Sequence, residues 1–186
     1  MKDSEFLRTD KVPMTKQEVR AVVLDRLELK EARRFVDIGA GTGSVAIEVA
    51  LRVPQLEVTA VERKAEAVDI MLENMQQLKC QQIKLIRDEA PCELEGELDA
   101  VFIGGTGGNL EEIIQWALEK MVVGGRLVMT FILHDNLNQA LTCLKSCPVE
   151  QLDCVQILAS SMTSLGNSYY FKPNNPTFIV SCIKGN

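Results

Sequence analysis

The sequence has one histidine, few aromatic residues and no Cys-x-x-Cys motif. Aromatic residues make up 5% of its 186 residues, and none of the six cysteines belongs to a Cys-x-x-Cys motif. A structural zinc site needs about four cysteine or histidine ligands at short spacing. We therefore predict no metal site, and we interpret the cysteines as reduced thiols that pack like small apolar side chains.

Long apolar runs are also missing. The long charge-free stretch around residues 155–171 is interrupted by serine, threonine, asparagine and glycine, so it cannot span a bilayer. No apolar segment follows the charged residues 2–5, as it would in an export signal. We expect a cytoplasmic protein with no membrane partner.

A basic stripe is the third absence. The chain has 26 acidic and 20 basic residues and a net charge of −6, and residues 87–119 hold nine acidic residues against one arginine. Proteins that follow a phosphate backbone need clustered lysine and arginine. The sequence therefore predicts no nucleic-acid partner.

Short apolar runs alternate with amphipathic stretches along one domain, residues 1–186, and this alternation is typical of an α/β fold with a parallel sheet. After an irregular arm over residues 1–14, Thr15 and Glu18 form a capping-box pattern that predicts the start of the first helix. The tail predicts two antiparallel strands, 149–159 and 177–183, joined by a loop over 166–176. The predicted parallel strands are 34–38, 57–61, 82–86, 98–103 and 126–133.

A glycine-rich turn connects the first predicted strand to the next helix. Glycines at positions 39, 41 and 43 let backbone amides approach a ligand at a helix N-terminus. A dinucleotide-binding turn has the spacing G-x-G-x-x-G, whereas Ser44 stands here in the last glycine position. The turn thus predicts a small-molecule site and makes an NAD-dependent oxidoreductase a distant alternative.

Acidic residues follow the second and third predicted strands. Glu62 lies 19 residues after Gly43, where a carboxylate can accept hydrogen bonds from a ribose diol. Asp88 and Glu89 come after the third strand, where an acid can meet an adenine amine. Together with the glycine turn, these positions predict a nucleoside-containing cofactor.

This constellation, residues 36–43 with Glu62 and Glu89–Ala90, resembles class I S-adenosylmethionine-dependent methyltransferases. More narrowly, residues 12–20, 88–91, 102–110 and 124–130 resemble the decarboxylating precorrin carbon-15 methyltransferases of cobalamin biosynthesis. The resemblance implies a Rossmann-like, doubly wound sheet of seven mostly parallel strands with an antiparallel last strand. It also implies S-adenosylmethionine as methyl donor, a precorrin or cobalt-precorrin tetrapyrrole as substrate, and a homo-oligomer such as a tetramer.

The same resemblance implies a set of cofactor-binding residues. The Asp88-Glu89-Ala90-Pro91 segment stands where the family has Gly-Asp-Ala-Pro, which leaves the adenine-side acid open between Glu89 and Asp88. The cofactor set is Thr15, Gly39, Ala40, Gly41, Thr42, Gly43, Glu62, Glu89 and Ala90.

For the substrate we expect basic side chains and a low-profile loop. The loop after the fourth strand holds four glycines, and its backbone amides can meet carboxylates. The catalytic residue is unknown; His134 is a candidate acid, base or cobalt ligand, or simply a strand-end histidine beside a helix. The substrate set is Lys16, Arg20, Gly104, Gly105, Thr106, Gly107, Gly108 and Thr130.

Two alternatives stay open on the sequence. Another class I methyltransferase, acting on tRNA or protein, shares every cofactor residue, and a non-catalytic S-adenosylmethionine-binding module shares them too. Whether the substrate carries cobalt, and whether a separate carbon-5 methyltransferase works beside this chain, also stays open.

Overall fold

A seven-stranded sheet forms the centre of the structure, a computed structural model that describes residues 1–186. The strands are β1 Arg34–Ile38, β2 Glu57–Val61, β3 Lys84–Ile86, β4 Leu98–Ile103, β5 Met121–Phe131, β6 Val149–Ile157, β7 Ser160–Leu165, β8 Ser168–Pro173 and β9 Thr177–Lys184. The strand order in the sheet is β3-β2-β1-β4-β5-β9-β6, the first five strands in that order run parallel, and β9 is antiparallel to both of its neighbours. The predicted α/β fold with its antiparallel last strand is confirmed.

Five helices cover the two faces of this sheet. The helices are α1 Gln17–Leu27, α2 Ser44–Arg52, α3 Ala65–Gln77, α4 Leu110–Lys120 and α5 His134–Leu144. Apolar residues of α1, α2 and α3 pack with Phe35 and Phe102 in one core, and those of α4 and α5 pack with Val36 and Ile103 in a second core. None of these helices combines the length and the apolar character that crossing a membrane requires.

The strand register brings three loops to one level. Ile38, at the end of β1, pairs with Val61 at the end of β2 and with Ile103 at the end of β4. Strands buried on both faces read as continuous apolar runs, and their register is fixed by the two cores. The loops after β1, β2 and β4 therefore begin side by side at the carboxyl edge of the sheet.

The first helix does not start as the capping-box pattern predicts. Lys16 takes the N-cap position, and no side chain caps the helix. The Thr15 carbonyl instead accepts a hydrogen bond of 2.6 Å from Arg20 Nη1. The predicted cap is wrong because the arm folds back over α1, and the arginine reaches the turn that Thr15 would otherwise close.

Arg20 is fully buried between the arm, α1 and α2. Its Nε donates to Glu48 Oε2 at 2.5 Å, its Nη2 donates to the Met1 carbonyl at 2.9 Å, and its guanidinium lies 5.0 Å from the centre of the Phe6 ring. The prediction that Arg20 binds substrate is wrong, because its donors are used inside the protein. Its role is to hold the N-terminal arm against the domain.

The tail contains a hairpin that the sequence analysis missed. The predicted pairing of the two long strands, β6 with β9, is confirmed. However, β7 and β8 pair antiparallel around Gly166, whose φ of 59° suits a tight turn. The predicted loop over 166–176 is therefore wrong. The two strands of the hairpin are serine-rich and exposed, and they bury no core face. They therefore lack the apolar alternation by which strands are recognised in a sequence.

The buried arginine gives a stability test. Removing one partner of a buried ion pair typically costs about 3–5 kcal/mol, so we expect Arg20→Leu to lower the free energy of unfolding by that amount in urea denaturation. Arg52→Leu is the matched control, because Arg52 binds the same Glu48 carboxylate from a half-exposed position. It should cost less than about 1 kcal/mol; equal losses in the two variants would contradict the assignment.

Candidate active site

A cavity of about 220 Å³ lies at the carboxyl edge of the sheet. The loops after β1, β2, β3 and β4 form most of its wall. One side is closed by Lys11, Val12 and Pro13 of the arm and by Thr15 directly after it. In an open α/β sheet this edge is where ligands bind. The arm that Arg20 holds in place therefore belongs to the wall of the cavity.

Two glycines of the turn after β1 are required by close backbone contacts. Gly39 and Gly41 have φ angles of 68° and 56°, which other residues rarely adopt. A Cβ at Gly39 would collide with the carbonyl oxygen of Gly105, and one at Gly41 would lie 2.9 Å from the Pro13 carbonyl oxygen. The turn thus touches the β4 loop on one side and the arm on the other.

Glu62, the acid after β2, ties two of these loops together. Its Oε2 accepts a hydrogen bond from the Gly41 amide and its Oε1 accepts one from the Lys64 amide, both at 2.9 Å. Glu62 is buried and lines the cavity. Each carboxylate oxygen can accept a second hydrogen bond, so Glu62 retains two acceptor positions for a ligand.

Asp37 is a site residue to which the sequence analysis gave no role. It lies in β1, is buried and lines the cavity; its Oδ2 accepts a 3.0 Å hydrogen bond from the Ala46 amide, while its Oδ1 has no partner. Burial raises the pKa of Asp37 to about 7; the Ala46 hydrogen bond lowers the pKa and the charge of Glu62 raises it. An acid within an otherwise apolar buried strand was the signal that could have revealed it.

An ion pair forms part of the roof of the cavity. Arg63 Nη1 donates to Glu89 Oε1 at 2.6 Å, and a Cβ on Gly107 would lie 2.6 Å from Arg63 Nη2. Asn109 occupies the N-cap position of α4 without capping the helix, and its side-chain amide donates to the Ala90 carbonyl at 3.0 Å. The loop after β4 is therefore hydrogen-bonded to the loop after β3, and it lies against Arg63 of the loop after β2.

The structure brings most of the predicted cofactor residues to the cavity. Asp88 and Glu89 both line it, so either acid is in position to meet a ligand there. The predicted residues that line the cavity are Thr15, Gly39, Ala40, Gly41, Glu62, Glu89, Ala90, Gly104, Gly105, Thr106 and Gly107.

Thr42 and Gly43 of the same turn lie outside the cavity wall. Thr42 is buried, and its carbonyl accepts a 2.9 Å hydrogen bond from Asn74 Nδ2. A Cβ on Gly43 would lie 2.7 Å from Met71 Cγ, so this glycine allows α2 and α3 to pack closely. The third glycine of the motif therefore has a role in helix packing, and its contact with the cofactor stays a prediction.

Four predicted substrate or catalytic residues also lie outside the wall. Lys16 forms an ion pair with Asp3 at 3.7 Å, and Thr130 pairs with Ile179 inside the sheet. His134 begins α5 with its ring 5.1 Å from that of Phe178. Gly108 has open space around it. The cavity therefore carries no histidine, and its titratable side chains are carboxylates, lysines and one arginine.

A mostly parallel sheet in this order with β9 antiparallel, together with a glycine turn after β1 and a buried acid after β2 around one cavity, defines the class I methyltransferase fold. Residues 5–184 match the family described as the precorrin methyltransferase domain. The chain belongs to this family.

Individual relatives agree with this assignment over almost their whole length. The chain is 51% identical over 184 residues to the cobalt-precorrin-6B C(15)-methyltransferase (decarboxylating) of Salmonella typhimurium, covering 99% of this chain and 96% of that protein. Among solved structures it is similar to precorrin-6y C5,15-methyltransferase from Geobacter metallireducens, with a TM-score of 0.87, 33% identity and coverage of 99% and 96%. It is also similar to precorrin 8w decarboxylase from Methanobacterium thermoautotrophicum, with a TM-score of 0.89, 27% identity and coverage of 97% and 98%.

The raised pKa of Asp37 predicts a pH-dependent stability. The folded protein binds the Asp37 proton more tightly than the unfolded chain does, so ionisation between about pH 4 and pH 7 destabilises the fold. We expect the stability of the wild type, measured against Asp37→Asn, to fall by up to about 4 kcal/mol across this range. Urea denaturation of both proteins at several pH values measures the difference, and a difference that stays constant with pH would contradict it.

Proposed function

We propose that this protein transfers a methyl group from S-adenosylmethionine to carbon 15 of a precorrin-6B-type tetrapyrrole and removes a ring acetate carboxyl as carbon dioxide. The observation that carries this proposal is the 51% identity, over 99% of the chain, to the Salmonella typhimurium relative named for this reaction on cobalt-precorrin-6B. Whether the substrate of this chain holds cobalt is decided by the assay below.

The residues of the cavity fit S-adenosylmethionine. Gly39 and Gly41 let the turn after β1 lie directly against the backbone of Gly105 and Pro13, which closes a backbone cradle, and Glu62 has two acceptor positions left for a ribose diol. Glu89 and Asp88 supply acceptors for the adenine amine, with Ala90 and Thr15 beside them in the wall. The unpartnered Oδ1 of Asp37 supplies a further acceptor for a cationic or N–H group of the ligand.

When bound, S-adenosylmethionine supplies an electrophilic methyl group on a positively charged sulfur. The task of the chain is to hold donor and acceptor in line at about 3–3.5 Å and to keep water out. The loop at residues 104–107 contributes three glycines to the wall beside the cradle, so a flat macrocycle can approach closely. Because an electron-rich ring carbon is itself the nucleophile, the absence of a histidine from the wall is compatible with the reaction.

We also propose a domain organisation and a cellular location for the protein. Residues 1–186 form one methyltransferase domain, and arm residues 1–14 belong to it because Leu7 exchanges two hydrogen bonds with Asn74 on α3. The protein works in the cytoplasm, where a reducing environment keeps the exposed Cys154 a free thiol. A separate enzyme methylates carbon 5, since the Salmonella typhimurium relative is named for carbon 15 alone.

Self-association through the hairpin of β7 and β8 belongs to the same proposal. A two-stranded hairpin is marginally stable alone in water. This one exposes several large apolar side chains, which a second copy of the chain covers in a homo-oligomer such as a tetramer. They are Met162, Leu165, Tyr169 and Phe171.

The reaction is tested with methyl-labelled S-adenosylmethionine and precorrin-6B, with and without cobalt. We expect a product that gains one labelled methyl group and loses carbon dioxide, read by mass spectrometry. Cofactor binding with no such product would return the acceptor to tRNA or protein, or leave a non-catalytic cofactor-binding module.

The cofactor role of Glu62 is tested by affinity. Hydrogen bonds to a charged group are worth about 1.5–3 kcal/mol, so Glu62→Ala should weaken S-adenosylmethionine binding by at least about tenfold in calorimetry. Glu57→Ala is the matched control, since Glu57 is an exposed acid at the opposite end of the same strand. Equal affinities in the two variants would remove Glu62 from the cofactor site.

The hairpin interface is tested by sedimentation. Met162 and Phe171 are register partners in the hairpin, and we expect replacing both by lysine to convert an oligomer into monomers because the charges cannot be buried. Val123→Lys is the control, because Val123 is similarly exposed but lies on β5. A wild-type protein that sediments as a monomer would contradict the proposal.

A further inference from the structure

The Arg63–Glu89 ion pair joins two loops at the cavity. Arg63 follows Glu62 directly and comes from the loop after β2, whereas Glu89 comes from the loop after β3. Their contact lies against Gly107 of the loop after β4, and all three residues line the cavity. The pair therefore lies where the cofactor cavity meets the loop that we assign to the substrate.

The substrate needs a cation at this place. A precorrin carries several carboxylates, yet the cavity wall includes Asp88, Glu89 and Glu66, and residues 87–119 are strongly acidic. Uncompensated like charges oppose the approach of an anion.

Few cations are in position to meet this need. Arg20 is buried, and Lys16 lies outside the wall, which leaves Lys11, Arg63 and Lys64 in it. Lys11 is mostly exposed and lies 4.0 Å from Glu66. Arg63 is the one whose guanidinium lies in the roof beside a carboxylate, hydrogen-bonded to Glu89 at 2.6 Å.

The guanidinium of Arg63 already holds a carboxylate, that of Glu89. Arginine presents a planar fork that matches a carboxylate geometrically. The side chains of Arg63 and Glu89 are 42% and 43% exposed, so water competes with their pairing and the partner is easily exchanged. A carboxylate of the substrate can take the position that Glu89 occupies.

We propose that Arg63 binds a carboxylate of the tetrapyrrole substrate, and that Glu89 occupies Arg63 until the adenine of the cofactor engages Glu89. This inference rests on the proposed function, because it takes the tetrapyrrole as substrate and Glu89 as the adenine-side acid. Because one carboxylate serves two partners, binding of the cofactor frees the arginine. Cofactor and substrate then bind with positive coupling, and by linkage the coupling is reciprocal.

Equilibrium dialysis of the precorrin-6B form that the wild type methylates measures the coupling without turnover. S-adenosylhomocysteine, which has no methyl group to transfer, takes the place of the cofactor. We expect it to tighten wild-type substrate binding by about fivefold or more. Arg63→Gln should weaken substrate binding in its presence by about tenfold or more, with the affinity for S-adenosylhomocysteine within about threefold of the wild type in calorimetry. Arg63→Lys should recover part of the loss, since it keeps the charge without the fork.

Two further variants separate the roles. Glu89→Gln should bind substrate tightly even without S-adenosylhomocysteine, so the coupling shrinks to less than about twofold. Arg34→Gln is the matched control: Arg34 is a half-exposed arginine paired with Glu57 at 2.9 Å at the opposite edge of the sheet, and its loss should change neither affinity.

The outcomes distinguish the inference from the proposed function. Unchanged substrate affinity in Arg63→Gln, or an equal loss of S-adenosylhomocysteine affinity, overturns the role of Arg63 while a methylating wild type keeps the proposed function. A wild type that neither binds nor methylates any precorrin-6B form overturns both.

Discussion

The alignment of three parallel strand ends is the constraint on which the rest of the site depends. Because Ile38, Val61 and Ile103 lie at one level, the loops after β1, β2 and β4 begin within reach of each other. Because of that proximity, Gly39 contacts the backbone of Gly105, and Glu62 accepts two backbone hydrogen bonds. A one-residue shift of either pairing would turn every side chain of a strand to the opposite face and would remove these contacts.

Charge is distributed so that an acidic chain can still receive an anion. The cavity wall is rich in carboxylates, and these suit a cofactor that presents hydroxyls, an amine and a positive sulfur. Arg63 compensates some of this charge where the glycine turn after β1 meets the loop after β4, to which we propose that the substrate binds. Arg20 is an equally suitable cation for the substrate on sequence alone. In the structure, however, it donates its hydrogen bonds to Glu48 and to the carbonyls of Thr15 and Met1. It contributes to the site indirectly, because the arm that it holds forms one wall.

Particular residues show how far the sequence could be interpreted. The strands 34–38, 57–61 and 98–103 were predicted with the bounds that the structure has, since buried parallel strands are continuous apolar runs between turn residues. The sequence motif shows the spacing of Gly43 but not its neighbour, and in the structure that neighbour is Met71 of α3. The hairpin of β7 and β8 was missed because its strands are exposed on both faces and therefore carry no burial pattern.

Local patterns in the chain were enough to predict the α/β alternation, the glycine turn, the acids at strand ends and the resemblance to precorrin methyltransferases. Each of these features is set by residues within a few positions of one another. Long-range contacts account for the burial of Arg20, for the unpartnered oxygen of Asp37 in the cavity wall, and for the pairing of Arg63 with Glu89 over Gly107. Burial and pairing depend on which distant segments the sheet register and the two cores bring together, and no local pattern encodes those distances.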